Sequence, residues 1–397
     1  MVADLTRGFA ATARAARGGG TMAITGHSQL EDAQVCARVV VKIGSALLIG
    51  ANGAPDASFM AAIAGDIAGL RARGQAVVVV TSGAIALGAA RLGLAQAKRN
   101  LADAQAAAAV GQIRLASAWA DALERKGLVA AQMLLSLDDF EDRARYLNAS
   151  ATLQRLIEGG AVPVVNENDS VATEEIRFGD NDRLAARVGQ AARAQAVVLL
   201  SDVDGLYTAA PGTAGAEKIE RVEGVTPDIL AMADASSGSG LGTGGMLSKL
   251  RAAEIAERAG IALVIAKGAG DHPLADALVP GGGTLFVPQG DADARRSWLG
   301  GRQRAAGRLN VDAGCVEALR SGKSLLAAGI TGVEGEFARG DLLEVSGPDG
   351  VAVAKGLSEY AANACRAIMG RRSDALEAVL GHAPRSAVIH RDHMVLL

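Results

Sequence analysis

Three cysteines in 397 residues, Cys36, Cys315 and Cys365, stand far apart and form no Cys-x-x-Cys pair. That argues against a disulfide scaffold or a zinc site and makes a reducing cytoplasm the expected location. Aromatic residues are scarce too, at 3%, so a core has to come from alanine, valine, leucine and isoleucine. With 50% hydrophobic residues there are enough of them for a large one. Neither charge dominates: a net charge of −3 offers no broad basic surface to a nucleic acid or an anionic membrane. No apolar run reaches the ~18 residues that cross a bilayer, so no membrane partner is expected. The length exceeds that of a typical single domain and points to two.

The most informative stretch runs from Val162 to Asp182. Val162, Val164 and Val165 read as a buried strand of a parallel sheet, followed at once by Asn166, Glu167, Asn168 and Asp169. Open α/β sheets bind ligands beyond the carboxyl ends of their strands. Further on, Gly179-Asp180-Asn181-Asp182 leads into a helix through Leu184, Ala185, Ala186 and Val188. Helix capping by Asp180 or Asn181 accounts for one acid there, but not for Asp169, Asp180 and Asp182 together. Such a cluster suits recognition of an ammonium group, a metal, or the positioning of lysines.

The same grammar recurs along the chain. Residues 38–43, Arg-Val-Val-Val-Lys-Ile, form an apolar strand ending in Gly44-Ser45. Lys42 is costly to bury unpaired and reads as pointing out of the strand end, where backbone amides approach a phosphate. The bland alternative is an edge lysine reaching for water. A helix over 56–73 precedes strand 76–80, which runs into Thr81-Ser82-Gly83-Ala84, a glycine turn at a helix start suited to anions. Residues 101–126 read as an Ala-rich helical region interrupted near Gly111, 129–135 as a strand, and 138–157 as one helix. Its solvated face would carry Asp139, Glu141, Asp142, Arg143 and Arg145. Strand 196–200 ends in Ser201-Asp202-Val203-Asp204-Gly205. The glycines of 237–245 then run into a helix over 246–259 with Lys249 in its first turn, an arrangement suited to polyphosphate. A further strand spans 261–266.

Strands alternating with helices imply an α/β domain over residues 38–288, a parallel-rich sheet sandwiched by helices. Residues 1–37 read as an extension, disordered or upstream of a true start at Met22. Residues 289–304 read as an Arg-rich linker, 305–385 as a small β-rich domain, and 386–397 as a tail; the short segments of β-rich texture lie near 325–326, 330–333, 341–345, 351–354 and 387–390. Four signals are decoys. Gly240 to Gly245 fits a dinucleotide fingerprint but lacks the preceding strand. Gly322-Lys323-Ser324 lacks the first glycine of a Walker loop, having Glu317 there. His390-Arg391-Asp392 stands too near the C-terminus for a protein kinase. The five histidines show no ligand spacing.

Taken together the motifs resemble the glutamate 5-kinase family of the amino-acid kinase superfamily, in the form with a C-terminal PUA domain. The carrying segments are Val-Val-Lys42-Ile-Gly-Ser45, Val-Thr-Ser82-Gly-Ala-Ile-Ala, Asn-Glu-Asn-Asp169-Ser-Val-Ala-Thr, Gly-Asp-Asn181-Asp182, Ser201-Asp202 and Gly-Leu-Gly-Thr-Gly-Gly-Met-Leu-Ser-Lys249. They cover residues 38–288, with 305–385 resembling the PUA part. Ala46, Ser201 and Ala210 depart from commoner family residues, and none is a charged site residue. The resemblance implies the amino-acid kinase fold and transfer of the ATP γ-phosphoryl group to the side-chain carboxylate of L-glutamate, the first step of proline synthesis. It implies Lys42, Lys249 and Asp182 as catalytic residues, and Ser82, Asp169 and Asn181 as the glutamate grip, with Asp169 facing the ammonium. The nucleotide would fall to Lys42, Ser201, Asp202, Thr243, Gly244, Gly245, Met246, Leu247, Ser248 and Lys249. Magnesium would enter with ATP, without a protein metal site. A homo-oligomer and feedback inhibition by proline are further family expectations.

Two rivals stand beside this reading. An N-acetylglutamate kinase or another acyl-phosphate kinase would share the lysines and glycines, but an acetylated substrate needs no carboxylate such as Asp169. An RNA-binding PUA protein with a vestigial kinase would need a basic patch with stacking aromatics, and the tail has few.

Overall fold

The computed structural model describes residues 24–397 except 51, 95–99, 172–180, 236–244, 290–304 and 386. The chain divides into two compact units, Met1–Asp138 with Ser150–Gly290, and Asp139–Ala149 with Asp291–Leu397. No described helix is long and apolar enough to cross a membrane.

In chain order the elements begin β1 (Arg38–Ile43), α1 (Ser45–Leu48), α2 (Ala57–Ala72), β2 (Ala76–Val80), α3 (Ala84–Leu92), α4 (Leu101–Glu124) and β3 (Ala130–Leu135). There follow α5 (Asp138–Glu141), α6 (Arg143–Glu158), β4 (Val162–Glu167), α7 (Asn181–Ala192), β5 (Ala196–Ser201), β6 (Leu206–Tyr207) and β7 (Lys218–Ile219). Then come β8 (Arg221–Glu223), α8 (Pro227–Ala235), α9 (Met246–Arg258), β9 (Ala262–Lys267), α10 (Pro273–Leu278) and β10 (Gly283–Val287). Eight strands form one sheet in the order β3-β4-β2-β1-β5-β9-β10-β8. Neighbours run parallel except β10, which is antiparallel to β9. The expected fold class, a parallel-rich α/β sheet, is borne out.

The valine runs fill both faces of this sheet. Val39, Val41, Val77, Val79, Val162 and Val164 share a core with Met60 and Ile63 of α2 and with Leu115 and Trp119 of α4. Each such side chain taken from water contributes on the order of 1.5–3 kcal/mol. The alternate residues face α7, where a Cβ on Gly189 would meet Val197 and Val40. Because side chains alternate along a strand, Lys42 belongs to the α7 face and Asn166 to the α4 face.

The helix expected to break at Gly111 does not break: α4 runs unbroken from Leu101 to Glu124. Glycine reads as an interruption in a sequence, but here it permits a close helix crossing. A Cβ on Gly111 would overlap the Ala84 carbonyl of α3, and one on Gly88 would overlap the Ala107 carbonyl of α4. The reciprocal Ala-x-x-x-Gly pairs, Ala84 with Gly88 and Ala107 with Gly111, thus bring the two backbones together. Trp119 Nε1 also donates to Thr81 Oγ1 at 3.0 Å, tying α4 to the turn after β2.

Residues 24–37 are not a disordered extension. Ile24, Leu30, Val35 and Cys36 are buried in the main core, and Gln75 Nε2 donates to the carbonyls of Leu30 and Cys36, each at 2.8 Å. Their irregular spacing follows neither helix nor strand periodicity, which hid them in the sequence; residues 1–23 lie outside the described residues. The helix expected over 138–157 is two. It breaks at Asp142, whose Oδ1 accepts from Arg145 N at 2.8 Å and so caps α6.

The second unit holds a five-stranded sheet of β11 (Gly307–Val311), β12 (Ile330–Glu334), β13 (Leu342–Ser346), β14 (Ala352–Leu357) and β15 (Met394–Leu396), in the order β12-β11-β13-β14-β15. The last strand pairs with β14, and Leu325 bridges Ile389, so the C-terminal tail belongs to this unit and the short segment read at 387–390 makes a bridge in it. Residues 139–149 are packed into the same unit. Arg339 Nη1 donates to Asn148 Oδ1 at 2.7 Å, and Arg339 Nη2 pairs with Glu359 Oε2 at 3.1 Å. The Tyr146 ring meets His393 edge-on at 5.8 Å. Gly340, at φ +91°, lies so close to Ala144 N that a Cβ there would come within 2.9 Å.

Candidate active site

At the carboxyl end of β1, Lys42 is buried in a strand of valines. A buried ammonium is tolerated only with a charged partner, and the partner is Asp182, in the first turn of α7 and fully buried. Lys42 Nζ lies 2.6 Å from Asp182 Oδ1. Lys249 Nζ, from the first turn of α9, donates to Asp182 Oδ2 at 3.2 Å. Burial by itself pushes the Asp182 carboxyl up, but Lys42 and Lys249 together outweigh it and hold it below the usual carboxylate range. One carboxylate between two ammonium groups leaves a net positive charge. It stands beside the N-terminus of α9, whose N-cap Gly245 supplies no side-chain cap. Lysine at that end of a helix opposes the helix dipole. Two cations and a helix N-terminus turned together make a site for an anion.

The other expected residues that the structure describes lie in turns, at a strand end and at helix starts. Ser82 sits half-buried in the turn between β2 and α3, where Gly83 adopts φ +101°, a left-handed conformation that suits glycine. Ser201 ends β5, buried, with Oγ 3.4 Å from Val203 N, and Asp202 beyond it is exposed. Met246, Leu247 and Ser248 form the first turn of α9 behind Gly245. Thr243, Gly244 and Asp180 lie outside the described residues.

Asp169 lies half-buried in the turn after β4, and burial pushes its carboxyl up to about 6. Asn181 opens α7 with its Oδ1 buried and without a hydrogen-bond partner among the described residues. Asn166 and Glu167, expected beyond the strand, belong to β4 itself. Asn166 is only 1% exposed. Its Nδ2 donates to Gln112 Oε1 of α4 at 2.7 Å, and its Oδ1 is likewise buried and unpartnered. Sequence reasoning placed Asn166 in the polar cluster at the ligand-binding end of the strand without giving it a role, and did not single out Gln112. An amide closing a run of valines was the one available signal; Gln112, in a helix of alanines, gave none. Groups that must lose water without a partner in the protein are unfavourable alone, and are satisfied when a polar ligand arrives.

A sheet with lysines at its carboxyl edge and a glycine-led helix beside it defines the class. The family model for the amino acid kinase family matches residues 37–267, and that for the PUA domain matches 307–380. The chain belongs to the amino acid kinase family. Relatives narrow this further. The glutamate 5-kinase of Novosphingobium aromaticivorans is 59% identical over 377 residues, spanning 95% of this chain and 100% of that one. The glutamate 5-kinase of Sphingopyxis alaskensis is 59% identical over 363 residues, 91% of this chain and 98% of its own. That of Zymomonas mobilis is 50% identical over 364 residues, 91% and 92%. The family resemblance carried by the sequence motifs is borne out over almost the whole chain.

Proposed function

We propose that this chain transfers the γ-phosphoryl group of ATP to the side-chain carboxylate of L-glutamate, giving L-glutamyl 5-phosphate and ADP. A carboxylate oxygen attacks the γ-phosphorus as its bond to the β–γ bridging oxygen breaks. The observation that carries the reading is Asp182 held between Lys42 and Lys249. Phosphoryl transfer asks for positioning and charge stabilisation rather than a protein nucleophile. Two ammonium groups fixed by one buried carboxylate supply that with little reorganisation. Ser82, Asp169 and Asn181 serve as the glutamate grip, Asp169 taking the ammonium. Ser201, Asp202 and the turn from Thr243 to Lys249 serve the nucleotide.

Among the described residues no group of three or more His, Cys, Asp or Glu side chains is placed to hold a metal, and Asp182 is already engaged by two lysines. These residues suit a magnesium ion carried in by the nucleotide, held by phosphate oxygens and water, where it neutralises phosphate charge. The same reading includes a homo-oligomer, feedback inhibition by proline and a cytoplasmic location. An RNA-binding role for the PUA domain finds less support. Phe337 and Tyr360, the aromatic residues of 305–397, are both buried in its core and offer no stacking surface.

The test is acyl-phosphate formation trapped as hydroxamate, with ATP and either L-glutamate or N-acetyl-L-glutamate. Turnover with the free amino acid alone is expected. Turnover with the acetylated compound alone would replace this reading by its nearest rival.

A further inference from the structure

We propose that Gln112 is a positioning residue for substrate recognition: it fixes the side-chain amide of Asn166 so that an acceptor oxygen, not a donor nitrogen, faces the substrate's ammonium group. The inference rests on the glutamate reading above and assigns a task within it.

An asparagine amide has two faces of opposite character, and a binding site works only if the right one is presented. Asn166 Nδ2 is committed to Gln112 Oε1 at 2.7 Å, which leaves Oδ1 buried and without a partner among the described residues. Three residues further along, Asp169 offers a second acceptor group, half-buried and raised in pKa by its own desolvation. Two acceptor groups three residues apart, at the end of β4 and in the turn that follows it, suit a single group rich in donors. An ammonium, with three N–H bonds, is such a group. If Asn166 turned over, its NH₂ would meet that ammonium donor to donor.

Gln112 Oε1, by accepting from Nδ2, opposes that turn. Gln112 follows Gly111, which the close crossing pins against the Ala84 carbonyl of α3, and α3 begins directly after the Ser82-Gly83 turn. The position of Gln112 is thereby coupled to that of the Ser82 turn. Its side chain also borders a cleft of about 290 Å³ shared with Thr81, Leu115, Gln132 and Val164. That space accepts other side chains of similar length without crowding the core.

The test compares wild type, Gln112→Met and Gln112→Glu as full-length chains, reading affinity by calorimetry for L-glutamate and for glutarate, which lacks the ammonium. Glutamate turnover is measured alongside. Methionine keeps the length and loses the acceptor, and should weaken glutamate binding by about tenfold, in line with one lost hydrogen bond to a charged group. It should leave glutarate affinity and kcat within about twofold. Glutamate at 112 accepts but does not donate, so it keeps Asn166 in place and should restore glutamate affinity to within about threefold of wild type. Equal losses for glutamate and glutarate, or equal losses in the two variants, would overturn the proposal. A wild type that binds glutamate but does not phosphorylate it would overturn the kinase reading and leave the comparison of variants valid. A wild type that binds no glutamate would overturn both.

Discussion

Burial raises the Asp169 carboxyl from 3.8 to about 6, because the ionised form loses water and gains no charged partner among the described residues. A carboxyl that binds its proton more tightly when folded adds stability at low pH and loses it as pH rises through the folded value. At pH 8 the ionised Asp169 therefore costs the empty protein about 3 kcal/mol, at 1.36 kcal/mol per pH unit of displacement, trimmed to about 2–3 kcal/mol by its partial exposure. At pH 5 roughly half of that cost remains. Asp169→Asn keeps the shape and removes the charge, so it should stabilise the ligand-free protein, by more at pH 8 than at pH 5. Urea unfolding followed by circular dichroism at both pH values reads the difference directly. The substrate side runs the other way. Glutamate affinity of the wild type should rise as pH passes 6 and then level off. The asparagine variant should bind glutamate tens-fold more weakly, from a loss of ~1.5–3 kcal/mol, with no such pH step. A variant no more stable than wild type at pH 8, or equally stabilised at both pH values, would refute the reasoning that Asp169 sits as an uncompensated buried charge.

Lys249→Ala should lower kcat at least ~100-fold, as for one lost preorganised transition-state donor, with the KM for glutamate little changed; steady-state kinetics varying each substrate separately decides it. Two glycine-to-alanine changes should move stability in opposite directions in denaturant titrations. Gly111→Ala drives a Cβ into the Ala84 carbonyl and should cost ~1–3 kcal/mol or more. Gly69→Ala, exposed in α2 with nothing within 4 Å of its Cβ, should gain ~0.5–1 kcal/mol. A chain beginning at Met22 should melt like the full chain. One beginning at Arg38 loses Ile24, Leu30, Val35 and Cys36 from the core, at ~1.5–3 kcal/mol for each large side chain, and should fail to give a cooperative melt.

The sheet was legible because its strands are valine runs that stop abruptly at polar turns, and residues such as Lys42 and Ser201 stand where the runs end. Lys249 was legible for a related reason, a cation in the first turn of a helix led by glycine. Gln112 was not, and neither was its pairing with Asn166, since the two are 54 positions apart in sequence and only tertiary packing makes a pair of them. Gly111 misled because sequence records a missing side chain without saying whether the backbone bends there or meets another backbone. Residues 24–37 misled because an irregular segment buries apolar groups at spacings that no period describes. The break at Asp142 was hidden by good helix formers on both sides, with the capping role visible only once Arg145 N is seen to point at its carboxylate.

The assignment of residues 139–149 to the second unit bears on how such genes can be cut and recombined. A fragment ended at the Arg-rich stretch near 290 would keep Asn148, Tyr146 and Ala144 while discarding Arg339, His393 and Gly340, the groups they pack against. A module here is two separate pieces of the gene, one short and one long. Grafting the C-terminal module of a relative onto this chain therefore calls for transplanting its counterpart of 139–149 as well, and drift in either piece constrains the other.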